Sequence, residues 1–171
     1  MSTPYLVVIG APGAGKTRVG KRVARILRVP FVDTDRRIVM RYGPITQIFS
    51  GRGEEHFRKL ERIEVTRALA ERAVVAVGGG AVLDPATQRD LEGLPVALMT
   101  VSAEAVASRI GRKRPLLRDG GVEAWEKLVA ARREIYERLA GRTWDTSERS
   151  LDAIASEVAD WVRSQPSEAV G

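Results

Sequence analysis

The segment Gly-Ala-Pro-Gly-Ala-Gly-Lys-Thr at residues 10–17 constrains this chain more than any other feature of its sequence. It fits the pattern G-x-x-x-x-G-K-[ST], in which glycines let successive backbone N–H groups turn towards phosphate oxygens. An apolar, mostly β-branched run (residues 5–9) precedes it, and the apolar spacing of residues 16–27 predicts a helix after it. A glycine-rich loop at a helix N-terminus, where the partial charge is positive, predicts a phosphate-binding loop, here called the P-loop.

Two side chains of the P-loop are expected to act on the nucleotide. Lys16 should reach the β- and γ-phosphates of ATP as a catalytic group, and the Thr17 hydroxyl should hold Mg²⁺. The alternative, a chance glycine turn, explains neither the spacing nor the strand and helix on either side. The sequence has no N-K-x-D motif, which argues against a GTPase. The predicted ATP-binding residues of the loop are Pro12, Gly13, Ala14, Gly15, Lys16 and Thr17.

Predicted strands alternate with predicted helices along the whole chain. This alternation is typical of an α/β fold with a parallel sheet that is covered on both faces. A length of 171 residues suits a single domain (1–171), and 44% hydrophobic residues suffice for its core. Residues 111–121 are basic, bounded by glycines and poor in apolar side chains, so we predict that this segment is a mobile lid.

Composition excludes several kinds of function. The chain has no cysteine, which rules out disulfides, thiolate metal sites and thiol catalysis. No apolar run approaches the roughly 18 residues that a membrane span needs, so we expect a cytoplasmic protein with no membrane partner. The net charge of +6 suggests an anionic partner, which leaves nucleic acid, a nucleotide and an anionic metabolite open.

Three further motifs lie at places where the predicted fold would expose them to a ligand. Asp33 and Asp35 follow the second strand, where one carboxylate can support Mg²⁺ and the other can take a proton from a hydroxyl. Arg58 and Glu61 share one face of a long helix, and three glycines (78–80, the glycine turn) follow the third strand. Helix capping, a surface ion pair and a plain tight turn remain the alternatives.

Taken in order, these motifs resemble those of the shikimate kinases. Five motifs occur in this order, at spacings that cover nearly the whole chain: the P-loop, Asp33-Thr-Asp35, Phe57-Arg58-x-x-Glu61, the glycine turn and Arg-Pro-Leu-Leu at residues 114–117. The resemblance implies ATP-dependent phosphorylation of the 3-hydroxyl of shikimate in aromatic amino-acid biosynthesis. It also implies a three-layer P-loop NTPase fold with a central five-stranded parallel sheet flanked by helices, a substrate-binding region at about residues 33–61, and a lid.

The resemblance also implies roles for individual residues. Asp35 would bind the substrate hydroxyls and act as the base, and Asp33 would support Mg²⁺ through water. Arg58 would meet the shikimate carboxylate. Arg114, in the lid, would be catalytic and would contact both ATP and substrate. Arg109 and Arg149 would flank the adenine. The substrate-binding residues implied are Asp35, Phe49, Phe57, Arg58, Glu61, Gly78, Gly79, Gly80, Arg114 and Arg132.

One segment departs from the pattern of the family. The family commonly has R-x-P-L-Y where this chain has Arg-Arg-Glu-Ile-Tyr at residues 132–136. Arg132 keeps the spacing to Tyr136 and is therefore chosen as the substrate contact, with Arg133 as the competing candidate.

Three other functions stay open at this point. A gluconate kinase would share the P-loop and the fold but would not explain the paired aspartates, Arg58 with Glu61, or the glycine turn. A nucleotide-dependent regulatory module would not need Lys16, Thr17, Asp35 and Arg114 together. A nucleic-acid binder would account for the charge, but no recognised binding motif is present. We expect a monomer whose small-molecule partners are ATP and shikimate, with no nucleic-acid partner.

Overall fold

The computed structural model describes residues 2–110 and 120–166, and a parallel five-stranded sheet lies at its centre. The order of the strands across the sheet is β2-β3-β1-β4-β5, and every neighbouring pair is parallel. This confirms the predicted α/β fold with helices on both faces of the sheet. The strands are β1 (Leu6–Gly10), β2 (Phe31–Asp33), β3 (Val74–Ala76), β4 (Val96–Thr100) and β5 (Arg142–Asp145).

Helices connect successive strands, as parallel pairing requires. None of the helices in the described ranges combines the length and apolar character that a membrane crossing needs. A 3₁₀ turn at Ala81–Leu83 follows the glycine turn. The helices are α1 (Lys16–Leu27), α2 (Thr34–Tyr42), α3 (Ile45–Ala68), α4 (Pro85–Leu91), α5 (Ala103–Ile110), α6 (Gly121–Leu139) and α7 (Leu151–Ser164).

The central strand β1 is fully buried because both faces of the sheet are covered. Leu6 and Val8 point into a core that α1 and α7 close, whereas Val7 and Ile9 point into a second core that α3 and α6 help to close. Alternation of side chains to opposite faces explains why this strand is a continuous apolar run. The P-loop therefore leaves the carboxyl end of the most central strand, where ligands bind in sheets of this kind.

Ion pairs attach α2 to α3 and its C-terminal turn. Arg37 pairs with Glu71, with Nη2 2.9 Å from Oε2, and Arg41 Nε lies 3.0 Å from Oε1 of Glu64. Glu64 is fully buried, and its second oxygen, Oε2, has no hydrogen-bond partner in the described part of the chain. These contacts hold the helix that carries Asp35 against the helix that carries Arg58.

The sequence predicts a break in α3 at residues 51–53 and a helical end at residue 72. In the structure α3 includes these residues, but Gly53 has a φ of 86°, which is not helical, and the chain changes direction there. The break is therefore confined to one glycine, and the helix ends at Ala68.

Candidate active site

The P-loop holds the amino group of Lys16 against the backbone carbonyls of its first two residues. Gly13 and Gly15 have φ values of 83° and 91°, a region that residues with a side chain seldom occupy. Gly15 caps the N-terminus of α1, so the backbone turns directly from the loop into the helix. The Lys16 ammonium donates to the carbonyls of Gly10 (2.6 Å) and Ala11 (3.2 Å). The loop thus brings together a lysine and a helix N-terminus, both of which attract phosphate.

Thr17 and Asp33, the two predicted metal-binding residues, are in direct contact. The Thr17 hydroxyl donates to Oδ2 of Asp33 at 2.8 Å, while Oδ1 of Asp33 accepts from the backbone N–H of Arg36 at 3.2 Å. Asp33 is therefore both the N-cap of α2 and a neighbour of the P-loop, so the capping interpretation and the metal-site interpretation are compatible.

Asp35 and Arg58 lie against opposite ends of the glycine turn. A Cβ added at Gly78 would lie 2.5 Å from Oδ1 of Asp35, and one added at Gly80 would lie 2.5 Å from Nη1 of Arg58. Both positions therefore have room only for glycine while these side chains keep their places. The turn brings a carboxylate and a guanidinium to one small surface, although they are 23 positions apart in the sequence.

Arg132, rather than Arg133, faces the glycine turn. Its Nη1 would lie 3.4 Å from a Cβ added at Gly79. Arg133 instead lines a cavity of about 120 Å³ between α6 and β4, together with Glu137. The structure thus places the arginine chosen from the sequence beside the other predicted substrate residues.

An ion pair with the buried Glu61 holds the partly buried guanidinium of Arg58. Its Nη1 lies 2.8 Å from Oε1 of Glu61, and its Nη2 lies 3.4 Å from Oε1 of Glu54. Burial opposes the charge on Arg58, but the attraction and hydrogen bond of Glu61 outweigh it and raise the pKa of Arg58. Burial also raises the pKa of Glu61, which Arg58 offsets only in part. Glu61 therefore orients Arg58 while bearing a costly buried charge.

The two predicted aromatic residues of the substrate region contact each other. The ring centroids of Phe49 and Phe57 are 4.9 Å apart. Phe57 is buried in a small core with Ile38 and Ile48, whereas Phe49 is 37% exposed. Phe57 therefore packs mainly as a core residue under Arg58, and Phe49 is the ring that is open to solvent.

The predicted adenine residues have different surroundings. Arg109 donates to the carbonyl of Gly13 at 3.4 Å, to the hydroxyl of Thr146 at 2.8 Å, and to the carbonyl of Thr146. It therefore lies at the P-loop. Arg149 instead pairs with Glu157 of α7 at 2.7 Å, with both side chains about half exposed. The structure does not bring Arg149 into contact with Arg109.

Sequence reasoning missed a fully buried threonine beside the P-loop. The Thr146 hydroxyl lies 2.9 Å from the carbonyl of Ala14 and 3.2 Å from that of Thr100, and it accepts from Arg109. It connects the end of β5 to the P-loop, although a lone threonine in a variable loop carries no signal in the sequence.

Two aromatic residues of α6 were also not predicted as part of the site. The indole N–H of Trp125 donates to the carbonyl of Pro12 at 2.8 Å, and the Tyr136 hydroxyl donates to the carbonyl of Gly79 at 2.6 Å. The only indication in the sequence was that Tyr136 ends the segment of residues 132–136, in which the spacing to this tyrosine favoured Arg132 as the substrate contact. Arg114 and most of the predicted lid lie outside the described residues.

No cluster of three or more histidine, cysteine or acidic side chains forms a metal site within residues 2–110 and 120–166. The hydroxyl of Thr17 and the carboxylate of Asp33 are nevertheless hard oxygen donors of the kind that Mg²⁺ prefers. Mg²⁺ commonly binds through one or two protein oxygens, several waters and substrate phosphates, so a pair of this kind fits it.

Comparison with known proteins gives one consistent result. The family model for shikimate kinase matches residues 12–163, from within the P-loop to within α7. A shikimate kinase of Thermobifida fusca is 43% identical over 92% of this chain and 94% of its own, and one of Salinispora tropica is 42% identical over 91% and 96%. A solved shikimate kinase of Acinetobacter baumannii, in complex with shikimate, superposes with a TM-score of 0.88 at 28% identity, covering 95% of this chain and 93% of its own.

Proposed function

The chain belongs to the shikimate kinase family, and on that premise we propose that it transfers the γ-phosphoryl group of ATP to the 3-hydroxyl of shikimate. The products are shikimate 3-phosphate and ADP, in the route to aromatic amino acids. The relative that was solved with shikimate bound supports this substrate. Family membership favours shikimate over gluconate as the acceptor.

One observation carries this proposal: Asp35 and Arg58 face the two ends of a single glycine turn. A carboxylate can accept a proton from a hydroxyl, and a guanidinium can bind a carboxylate through two parallel hydrogen bonds. A substrate with a hydroxyl and a carboxylate on one rigid ring, as in shikimate, would meet both groups at once. Arg132, at the middle glycine, adds a second positive charge for the carboxylate.

The P-loop would bind the phosphoryl donor. Its inward-turned N–H groups and the N-terminus of α1 would surround the β-phosphate. The Lys16 ammonium lies on the carbonyls of Gly10 and Ala11 of the loop, and it would leave them to bind the γ-phosphate. Its charge would stabilise negative charge that develops on the phosphate oxygens during transfer.

We propose that Thr17 and Asp33 hold Mg²⁺, Thr17 by its hydroxyl and Asp33 through water. The 2.8 Å contact between them supports this assignment, because it places both oxygens at the start of α1, where the phosphates would lie. When bound, Mg²⁺ would neutralise charge on the β- and γ-phosphates.

Asp35 is proposed as the base. As the oxygen of the 3-hydroxyl forms its bond to the γ-phosphorus, the bond from that phosphorus to the ADP oxygen breaks, and the hydroxyl proton passes to Asp35. The position of Asp35 at the first turn of α2, beside the buried Gly78, supports this role because it fixes the carboxylate near the P-loop.

Other assignments complete the proposed site. Arg109 is proposed to contact the adenine side of ATP, because it already lies at the P-loop, and Arg149, which pairs with Glu157, is proposed to assist it. Phe49 would cover the substrate ring. Arg114 is proposed to close with residues 111–121 over both ligands. We propose a cytoplasmic monomer, since its co-substrate ATP is abundant there and the proposed ligand residues all belong to a single chain.

The test is an ADP-release assay that offers shikimate, quinate and gluconate in parallel. Shikimate should be by far the best acceptor, because only its planar ring end places the carboxylate and the 3-hydroxyl in the expected relation. Equal turnover with gluconate would refute the assignment of the acceptor. ADP release that no acceptor stimulates would indicate a nucleotide-dependent regulatory protein instead.

A further inference from the structure

Two buried aromatic side chains of α6 project from the same face of that helix. Trp125 and Tyr136 are 11 residues apart, which is about three helical turns and roughly 16 Å along the axis. Each is almost fully buried, and each donates its single polar hydrogen to a backbone carbonyl. The two carbonyls belong to the two loops that form the proposed site, so one helix contacts both ligand loops.

Trp125 acts on the P-loop. Its indole N–H donates to the carbonyl of Pro12 at 2.8 Å, while its ring packs with Ala11 and Val106. A peptide unit is planar, so holding this carbonyl also sets the direction of the N–H of Gly13 in the same unit. That N–H belongs to the part of the loop expected to bind phosphate.

Tyr136 acts on the glycine turn in the same way. Its hydroxyl donates to the carbonyl of Gly79 at 2.6 Å, which sets the direction of the N–H of Gly80. Burial raises the pKa of Tyr136, and the nearby Arg132 only partly opposes this, so the phenol stays protonated and remains a donor. Gly80 lies against the guanidinium of Arg58, where the substrate carboxylate is proposed to bind.

The two loops also touch each other between these anchors. A Cβ added at Gly79 would lie 3.2 Å from Cδ of Pro12. Each loop is thus hydrogen-bonded to α6, Pro12 through Trp125 and Gly79 through Tyr136, and the two loops also lie against each other. Breaking one hydrogen bond would loosen one loop while the other stays attached.

We propose that Trp125 and Tyr136 are positioning residues. Through Pro12 and Gly79 they attach the P-loop and the glycine turn to α6 and so fix the distance between these two loops. Trp125 orients the phosphate-binding backbone, and Tyr136 orients the backbone beside the substrate carboxylate. This inference rests on the proposed function, because it assigns one loop to each substrate.

The test compares Trp125→Phe with Tyr136→Phe, measuring KM for both substrates and binding of ADP and of shikimate by calorimetry. One net hydrogen bond is worth about 1 kcal/mol, or about fivefold in affinity. Trp125→Phe should raise the KM for ATP and the Kd for ADP about fivefold and leave those for shikimate within about twofold. Tyr136→Phe should do the reverse.

Matched controls carry the same substitutions far from both loops. Tyr5→Phe lies at the opposite end of the sheet, just before β1, and Trp161→Phe lies on α7, where its ring packs against Trp144. Both controls should leave all four constants unchanged. They show how much of any effect comes from losing an indole or a phenol as such.

The proposal is supported if Trp125→Phe weakens only the binding of ATP and ADP and Tyr136→Phe weakens only the binding of shikimate. Unchanged constants in either variant, or equal changes for both substrates, overturn it, because a general loss of packing would not distinguish the two ligands. If Trp125→Phe does not fold, benzothienylalanine at position 125, which has sulfur in place of the N–H, tests the same bond. Turnover of shikimate by the wild type tests the proposed function separately, and calorimetry provides the crossed comparison without turnover.

Discussion

Gly80→Ala tests the position of Arg58 without touching Arg58 itself. Gly80 has φ −95° and ψ −3°, which alanine adopts freely, so the substitution introduces no backbone strain. The three atoms nearest to the added Cβ, at 2.5–2.8 Å, all belong to the Arg58 guanidinium. Ordinary contact begins at 3.4 Å, so the guanidinium must retreat by about 0.9 Å.

The expected loss follows from that displacement. If Arg58 binds the substrate carboxylate as proposed, a movement of about 1 Å removes at least one charge-assisted hydrogen bond to it, worth about 1.5–3 kcal/mol. The Kd for shikimate should therefore rise about 10- to 150-fold, while the Kd for ADP stays within about twofold. Because the group that moves is the end of a flexible side chain, the melting temperature should change by less than about 2 °C.

The assay is calorimetric titration of shikimate and of ADP, with a thermal melt of each variant. Gly51→Ala is the control, since it lies on α3, the helix that carries Arg58, and has no atom within 4 Å of the added Cβ. It should leave both affinities unchanged and stabilise the helix by about 0.5–1 kcal/mol. Wild-type affinity for shikimate in Gly80→Ala, or an equal loss for ADP, would refute the assignment of Arg58 to the carboxylate.

Three further substitutions test other parts of the site. Lys16→Ala should fold normally but turn over poorly, because it removes the charge proposed to face the transferring phosphate; a kcat near that of the wild type would contradict this. Asp35→Asn should lower kcat by about 10²–10⁴-fold, as for a positioned base, whereas a change confined to KM would mean that Asp35 only binds substrate. Burial raises the folded-state pKa of Glu61, so its charge costs stability as pH rises through that pKa. Glutamine has no such titration, so the melting temperature of Glu61→Gln relative to the wild type should be lowest at acid pH and should rise as pH rises through the pKa of Glu61, while KM for shikimate rises because Arg58 loses its ion pair; a melting difference that is constant with pH would contradict this.

The fold could be predicted because its signals are local. A buried strand, a glycine-rich loop and an amphipathic helix are each read from a short window, and their repetition indicates parallel pairing. The predicted break in α3 is found at Gly53, whose φ of 86° is not helical, but the end of that helix was less well predicted, at residue 72 instead of Ala68, since the last turn of a helix has no sharp local signal.

The sequence by itself identified four motifs of the site, because each is contiguous or has helical spacing. They are the P-loop, the aspartates after β2, Arg58 with Glu61, and the glycine turn. The spacing to Tyr136 favoured Arg132 over Arg133, but only the tertiary structure shows which of the two faces the glycine turn. Adjacent helical residues point about 100° apart, so the choice depends on how α6 is rotated against the sheet, and packing sets that rotation. Only packing, likewise, brought Trp125, Tyr136 and Thr146 onto carbonyls of the P-loop and the glycine turn, because a donor and its acceptor that are 57 to 132 positions apart share no local pattern.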